Sequence, residues 1–147
     1  MEVSELSEDG FVWTIPSNRT KNRRPHVVPL PPLARKIIAE VERLDGCKYV
    51  FSINQRTPVS GFAKVKKRLD AKMGVPPWVL HDLRRTAATG MAELGVAPHI
   101  VELCLNHISG AKAGVAGTYN RSVQMPERRA ALELWAKRVQ SLARRGQ

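Results

Sequence analysis

The second half of the chain contains, in order, side chains that could carry out chemistry on a phosphate ester. His81 lies three residues before Arg84, His107 lies 26 residues after His81, and Tyr119 lies 12 residues after His107. A tyrosine hydroxyl can attack phosphorus and keep the bond energy in a covalent phosphotyrosine. An arginine presents planar N–H donors to charge that grows on phosphoryl oxygens, and an imidazole can fill several hydrogen-bonding and proton-transfer roles. Together, these residue types could act on a phosphodiester.

Each of these residues also has an ordinary explanation when it is taken alone. His81 could be a neighbour of a helix cap and Arg84 a surface residue, while His107 could be a satisfied histidine at a helix end. Tyr119 could pack its ring and leave its hydroxyl in water. The functional interpretation therefore depends on the ordered set and not on any single member.

The elements that must position these residues begin with a predicted β-hairpin. Residues 11–30 consist of an aromatic and β-branched run, a polar turn and a second β-branched run before a proline, which is typical of two antiparallel strands. The segment from Glu2 to Leu6 could add a third short strand. The turn is basic, and its members are Arg19, Lys21, Arg23 and Arg24.

Helical periodicity dominates the rest of the chain. A helix is expected from Pro32 to near Gly46, and a second helix from Ser60 to Gly74. The third follows Trp78 and ends at Gly95, and its expected inner face consists of Leu83, Ala87, Met91 and Leu94. A fourth begins at Pro98, with Ile100, Val101, Leu103 and Cys104 as candidate core positions and Asn106 as its stop. The last runs from Pro126 to Arg145, with an apolar stripe of Ala131, Leu134, Trp135 and Val139.

Composition limits the function classes. The 147 residues and 43% apolar content suit one domain with a real core, and the net charge of +11 favours a polyanionic partner. No apolar run approaches the roughly 20 residues that span a bilayer, and the acidic N-terminus does not resemble a secretion signal. Cys47 and Cys104 are far apart and fit small apolar fillers in a cytoplasmic protein. We expect an α+β fold that is predominantly helical, with a small antiparallel sheet packed on a helical core.

The candidate catalytic residues lie within longer sequence patterns that are similar to those of a known family. The patterns WTIPxxRTKNxRPHxVPL and LHDLRRTAATGMAELGV, followed by Leu105-Asn106-His107 and Tyr119, resemble the tyrosine recombinase, or phage integrase, family of bacterial prophage type. The resemblance implies site-specific DNA integration or recombination. It also implies that Tyr119 is the nucleophile, Arg84 a phosphate clamp, His81 a general base and His107 a hydrogen-bond donor.

Lys21 is the candidate general acid in this scheme, because the departing 5′ oxygen needs a proton and a lysine beside the phosphate can supply it. Arg19, Arg23 and Arg24 are expected to contact DNA phosphates without reading sequence. For Arg85, contact with the DNA backbone and a surface salt bridge are both open. The scheme needs no metal and no cofactor, and its partners are double-stranded DNA and further recombinase subunits on that DNA.

The resemblance also implies an arginine on a helix ahead of the first strand, and this sequence has no matching motif. We therefore expect residues 1–147 to be the C-terminal catalytic part of a longer recombinase, without that helix and without the arm and core-binding domains, and inactive alone. A non-catalytic basic module that docks on DNA or on sister subunits is the alternative. Type IB topoisomerase chemistry uses a similar site but is disfavoured by the integrase-like text. Whether the last helix docks on its own domain or on a neighbour is left open.

Overall fold

The computed structural model describes residues 1–107 and 124–145. These residues form a two-stranded antiparallel sheet and five α-helices. The strands are β1 (Val12–Ile15) and β2 (His26–Pro29). The helices are α1 (Pro32–Glu40), α2 (Phe62–Met73), α3 (Leu80–Glu93), α4 (Pro98–Cys104) and α5 (Met125–Arg145). The expected fold class, predominantly helical with a small sheet, is confirmed.

The hairpin forms as predicted, but the third strand does not. Trp13 pairs with Val28 in the β1–β2 register. The segment predicted as a strand instead contains a short 3-10 turn at Val3–Glu5, with one isolated bridge on each side of it. The cause is local, because the Glu5 carboxylate accepts the N–H of Glu2 at 2.9 Å and closes the segment on itself.

Helix α1 ends earlier than its apolar periodicity predicts. Val41 is already extended, with φ −73° and ψ 120°, so the expected end near Gly46 is wrong. Gly46 has a φ of +70° and belongs to a separate turn. This turn leads to residues that form hydrogen bonds with the N-terminal segment. The N–H of Val50 donates to the main-chain oxygen of Met1 at 3.1 Å. Residues 41–47 form the connection that brings Val50 back to the N-terminus. A longer α1 would prevent this connection.

The core lies where α3, α4 and α5 meet. Its buried members come from all three helices and are Met91, Ile100, Val101, Cys104 and Ala131. Ala87 and Ala88 also pack there, so α3 is buried through its C-terminal half. The prediction for Leu83 was wrong, because this side chain is 59% exposed. The N-terminal half of α3, which includes His81 and Arg84, contributes no buried residue to this core.

Helix α2 forms within the predicted range, beginning at Phe62 rather than Ser60, but it has little packing. It lies between Gly61 and Gly74, both in the left-handed conformation that suits glycine. None of its residues is buried, and Phe62 and Val65 are more than half exposed. Its amphipathic pattern predicted the helix correctly, but the core of the described residues does not include it.

Helix α5 docks on its own domain, where it packs against α1, α3, α4 and β2. The predicted stripe is half right: Ala131 is buried and Trp135 packs on the core, whereas Leu134 and Val139 are 38% and 36% exposed. The inward face instead follows the helical spacing through the residues Arg128, Ala131, Leu132, Trp135 and Ala136. Because an arginine begins this face, its phase was not evident from apolar residues alone.

Candidate active site

Arg84 connects the N-terminal half of α3 to the end of α4. Its side chain is half-buried, and its Nη2 donates to the main-chain oxygen of Leu105. Leu105 is the C-cap of α4, where carbonyls lack helical partners, so the guanidinium satisfies one of them. A guanidinium has five N–H donors, and the Leu105 oxygen occupies one of its nitrogens. Arg84 therefore holds two elements together, and this is its one side-chain hydrogen bond within residues 1–107 and 124–145.

His81 lies one helical turn before Arg84 and is exposed. Residues three apart on a helix lie on the same side, with roughly 5–6 Å between their Cβ atoms. His81 and Arg84, which together form an HxxR motif, are thus on the same side of α3. Both residues lie within α3, and their joint role at a phosphate stays a prediction.

Asp82 braces the start of the same helix. Its carboxylate accepts the N–H of Val79 at 2.9 Å and pairs with Arg85 at 2.9 Å. The hydrogen bond from Val79 is the main cause that lowers the pKa of Asp82, and the hydrogen bond and charge of Arg85 lower it further. Of the two roles left open for Arg85, the surface salt bridge forms, and contact with the DNA backbone stays a prediction.

His107 is held in place by a helix-terminating turn. The main-chain N–H of His107 donates to the main-chain oxygen of Glu102 at 2.9 Å, and the N–H of Asn106 donates to the main-chain oxygen of Leu103 at 3.3 Å. This pair of bonds, with Asn106 at a φ of +52°, is a Schellman motif. The predicted stop at Asn106 is therefore confirmed. His107 is 64% exposed, and its Nδ1 lies 3.9 Å from the Glu102 carboxylate.

The hairpin turn reaches the same place. Asn22 donates from Nδ2 to Oδ1 of Asn106 at 2.9 Å, which joins the β1–β2 connection to the end of α4. Lys21 and Arg23, the sequence neighbours of Asn22, are exposed. The structure thus brings the Lys21 turn, the His107 turn and the Arg84 helix together through two hydrogen bonds.

Arg19 has a different environment from the rest of the basic turn. It pairs with the carboxylate of Glu5, which also accepts a hydrogen bond from the Trp13 indole at 3.0 Å. Burial raises the pKa of Glu5, but the hydrogen bonds from Glu2 and Trp13 and the charge of Arg19 together outweigh it, so the pKa is lowered. All three arginines of this turn are exposed, but within the described residues only Arg19 forms an ion pair.

Tyr119, the predicted nucleophile, lies outside the described residues. The other four candidate catalytic residues, His81, Arg84, His107 and Lys21, are described. No group of three or more His, Cys, Asp or Glu side chains within residues 1–107 and 124–145 is arranged to hold a metal ion. Over the same ranges, no helix is long and apolar enough to cross a membrane.

Sequence reasoning missed Arg128, which is only 6% exposed. Its Nη2 donates to the main-chain oxygen of Val27 and so ties α5 to β2. Burial lowers the pKa of Arg128 and raises that of the adjacent Cys104 thiol. The available signal was its spacing, three residues before Ala131 on the inward face. Asn22 was also missed, because nothing in its local sequence distinguishes it from a solvated turn residue.

Comparison with known proteins identifies the same family that the sequence motifs resemble. Residues 1–124 match the phage integrase family. The chain is 31% identical over 140 residues to prophage integrase IntA of Escherichia coli K12, an alignment that covers 93% of this chain and 33% of that protein. It is 29% identical over 140 residues to prophage integrase IntZ of the same organism, with 92% of this chain and 33% of that protein covered. The chain thus spans about a third of the length of these relatives. No solved structure matches it.

Proposed function

We propose, because the chain belongs to the phage integrase family, that it is the catalytic domain of a site-specific DNA recombinase that acts through a phosphotyrosine intermediate on Tyr119. The observation that carries this proposal is the bond from Arg84 to Leu105, two residues before His107. It brings the HxxR helix and the histidine turn to one place, and the Asn22–Asn106 bond adds the turn that contains Lys21. Convergence of these groups is what the reaction requires.

In the proposed cleavage step, the Tyr119 oxygen attacks the scissile phosphorus. A bond forms between that oxygen and the 3′ phosphate, and the bond from phosphorus to the 5′ oxygen breaks. His81 takes the phenolic proton and Lys21 gives a proton to the departing 5′ oxygen. Arg84 and His107 donate hydrogen bonds to the non-bridging oxygens, whose negative charge grows in the transition state. In the ligation step, a 5′ hydroxyl of another strand attacks the phosphotyrosine and regenerates Tyr119.

DNA is the proposed partner, and several copies of the protein are proposed to assemble on it. Lys21, Arg23 and Arg24 project from the hairpin connection as exposed basic residues. Phosphate contacts of this kind position a protein on the duplex without reading its sequence. Arg19 is the least suited of the four basic residues for this role, because it is paired with Glu5.

We also propose that residues 1–147 act as part of a larger recombinase. The family resemblance implies a second arginine on a helix ahead of the hairpin and domains that embrace DNA. The chain alone would then lack one phosphate clamp and would cleave little DNA. We call "the extended protein" a fusion in which such a helix and clamping domain from a family relative are joined ahead of Met1.

A covalent-trapping assay tests this function. The extended protein is incubated with nicked suicide substrates, from which the cleaved fragment diffuses away, and covalent protein–DNA product is measured. Tyr119→Phe deletes the attacking oxygen and keeps the ring, so the product should disappear while DNA binding remains. Arg84→Ala should lower cleavage by on the order of 10²-fold. Covalent product from Tyr119→Phe would show that another residue attacks and would overturn the assignment.

A module that binds DNA without cutting it is the second candidate. The exposed basic turn and the net charge of +11 favour it, because they serve binding as well as catalysis. The same assay separates the two functions. A binding module gives no covalent product in the extended protein, whichever leaving group the substrate carries.

A further inference from the structure

We propose that Asn22 and Asn106 form a positioning pair that holds Lys21 in register with Arg84 and His107. Neither asparagine is assigned a chemical step. This inference rests on the proposed function, since it names the contact that places the general acid of that reaction.

The contact itself joins two distant parts of the chain. Asn22 Nδ2 donates to Asn106 Oδ1 at 2.9 Å across 84 positions of sequence, and both residues are half-buried. The orientation of the Asn22 amide is determined by a second bond, because its Oδ1 accepts the N–H of Arg24 at 3.1 Å. With the oxygen occupied by a donor, the nitrogen is the end that faces Asn106.

The hairpin turn is braced so that it moves as a unit. The Thr20 hydroxyl accepts the N–H of Arg24 at 3.1 Å and donates to the Arg24 carbonyl at 2.7 Å. Asn22 lies inside this closed turn, and Lys21 is its immediate neighbour. Anchoring the Asn22 side chain therefore limits the movement of the Lys21 backbone.

The opposite side of the contact is equally restrained. Asn106 is the left-handed residue of the Schellman motif, between Leu105, whose carbonyl accepts Arg84, and His107. Leu105 thus accepts the hydrogen bond from Arg84, and Asn106 accepts the one from the turn that contains Lys21. The next residue is His107. Loss of the amide pair would leave the clamp and His107 in place and release only the lysine turn.

The chain offers clean variants for a test. Asn106→Gly removes the amide and keeps the left-handed backbone, which glycine adopts without strain. Asn22→Ala removes the other partner. Asn18→Ala is the matched control, because Asn18 is exposed on the same connection and makes no side-chain hydrogen bond within the described residues.

The first measurement needs no activity and uses the 147-residue chain. Backbone ¹⁵N relaxation should show the order parameters of residues 20–24 falling in Asn106→Gly from about 0.85 toward 0.6. The order parameters of residues 91–104 should stay unchanged in Asn106→Gly. Those of residues 20–24 should stay unchanged in Asn18→Ala. If residues 20–24 keep their order in Asn106→Gly, the amide pair does not hold the turn and the inference fails.

The second measurement uses the extended protein and two suicide substrates. One has the natural 5′ oxygen, and the other has a 5′ sulfur that leaves without a proton. Asn22→Ala and Asn106→Gly should each slow cleavage of the oxygen substrate roughly 10-fold, the size of one lost hydrogen bond. The sulfur substrate should restore the rate, as it should for Lys21→Ala. Combining Asn22→Ala with Lys21→Ala should add no further loss.

Equal losses on both substrates, or losses that add to that of Lys21→Ala, would show a general structural role and overturn the positioning role. Absence of covalent product from the unaltered extended protein on both substrates would overturn the proposed function and this inference with it. The relaxation data would still decide whether the two turns are coupled. The two failures are therefore distinguishable.

Discussion

Trp135 of α5 lies directly against Gly90 of α3. A Cβ atom built at Gly90 would come within 3.0 Å of three atoms of the indole ring, so the missing side chain is what allows the two helices to approach. Alanine would normally stabilise a helix interior by about 1 kcal/mol relative to glycine. At this position the clash reverses the expected sign.

We predict that Gly90→Ala lowers the free energy of unfolding by about 1–3 kcal/mol, as overpacking does in well-packed cores. Urea denaturation monitored by circular dichroism measures this free energy of unfolding. Thr89→Ala, one residue away on the exposed side of α3, is the control and should change stability by less than about 0.5 kcal/mol. A Gly90→Ala protein more stable than the original would mean that the α3–α5 contact is looser than described.

A second prediction contrasts two helices. Met91 is 1% exposed, whereas Leu69 on α2 is 42% exposed. Met91→Ala should cost about 2–5 kcal/mol because it leaves a cavity in the core. Leu69→Ala should cost only about 1 kcal/mol, since 42% of its surface stays in water on folding. Equal costs in the same denaturation experiment would place α2 in the core.

The Glu5 cluster should make stability depend on pH. The pKa of Glu5 is lowered in the folded protein from its ordinary value of 4.5. The stabilisation by this carboxylate is therefore complete above about 4.5 and is lost as the pH falls through the lowered value. Glu5→Gln should reduce the free energy of unfolding by about 1–3 kcal/mol at pH 7.

The difference between Glu5→Gln and the unaltered protein should shrink as the pH is taken below 4.5. Glu8→Gln is the control, because Glu8 is exposed on the same segment. A difference that stays constant from pH 7 to pH 3 would contradict the electrostatic account of this cluster.

The fourth prediction concerns the basic turn and DNA. Each phosphate contact contributes about 0.9 to the slope of log affinity against log salt concentration. Replacing Lys21, Arg23 and Arg24 together by Gln should therefore lower that slope by about 2–3. Arg19→Gln should leave the slope unchanged and reduce stability instead, because Arg19 pairs with Glu5. Fluorescence anisotropy with a duplex at several salt concentrations distinguishes the two variants. An equal fall in slope for Arg19→Gln would show that this residue contacts DNA, as the sequence predicts.

Much of the local structure was predictable because it depends on near neighbours in the chain. The 3.6-residue period identified α3, and the positive φ of Gly95 is what a helix-ending glycine provides. Asn106 was recognised as a stop for the same reason. The HxxR spacing places His81 and Arg84 on one side of α3 without reference to any other element.

Other features depended on how the elements pack, and the sequence alone did not reveal them. Leu83 continues the apolar period of α3, yet it is 59% exposed because the buried core packs against the C-terminal half of this helix. Arg128 is charged and still buried, because its donors reach a carbonyl on β2.

The sequence by itself determined the family, the helical and hairpin elements and the residue types of the candidate site, since each follows from local pattern or ordered motifs. Only the tertiary structure decided which residues connect the parts of that site. Arg84 meets Leu105 across 21 positions and Asn22 meets Asn106 across 84. Such partners are chosen by the packing of whole helices and turns, and a hydrogen bond between distant residues leaves no periodic signal in the residues beside it.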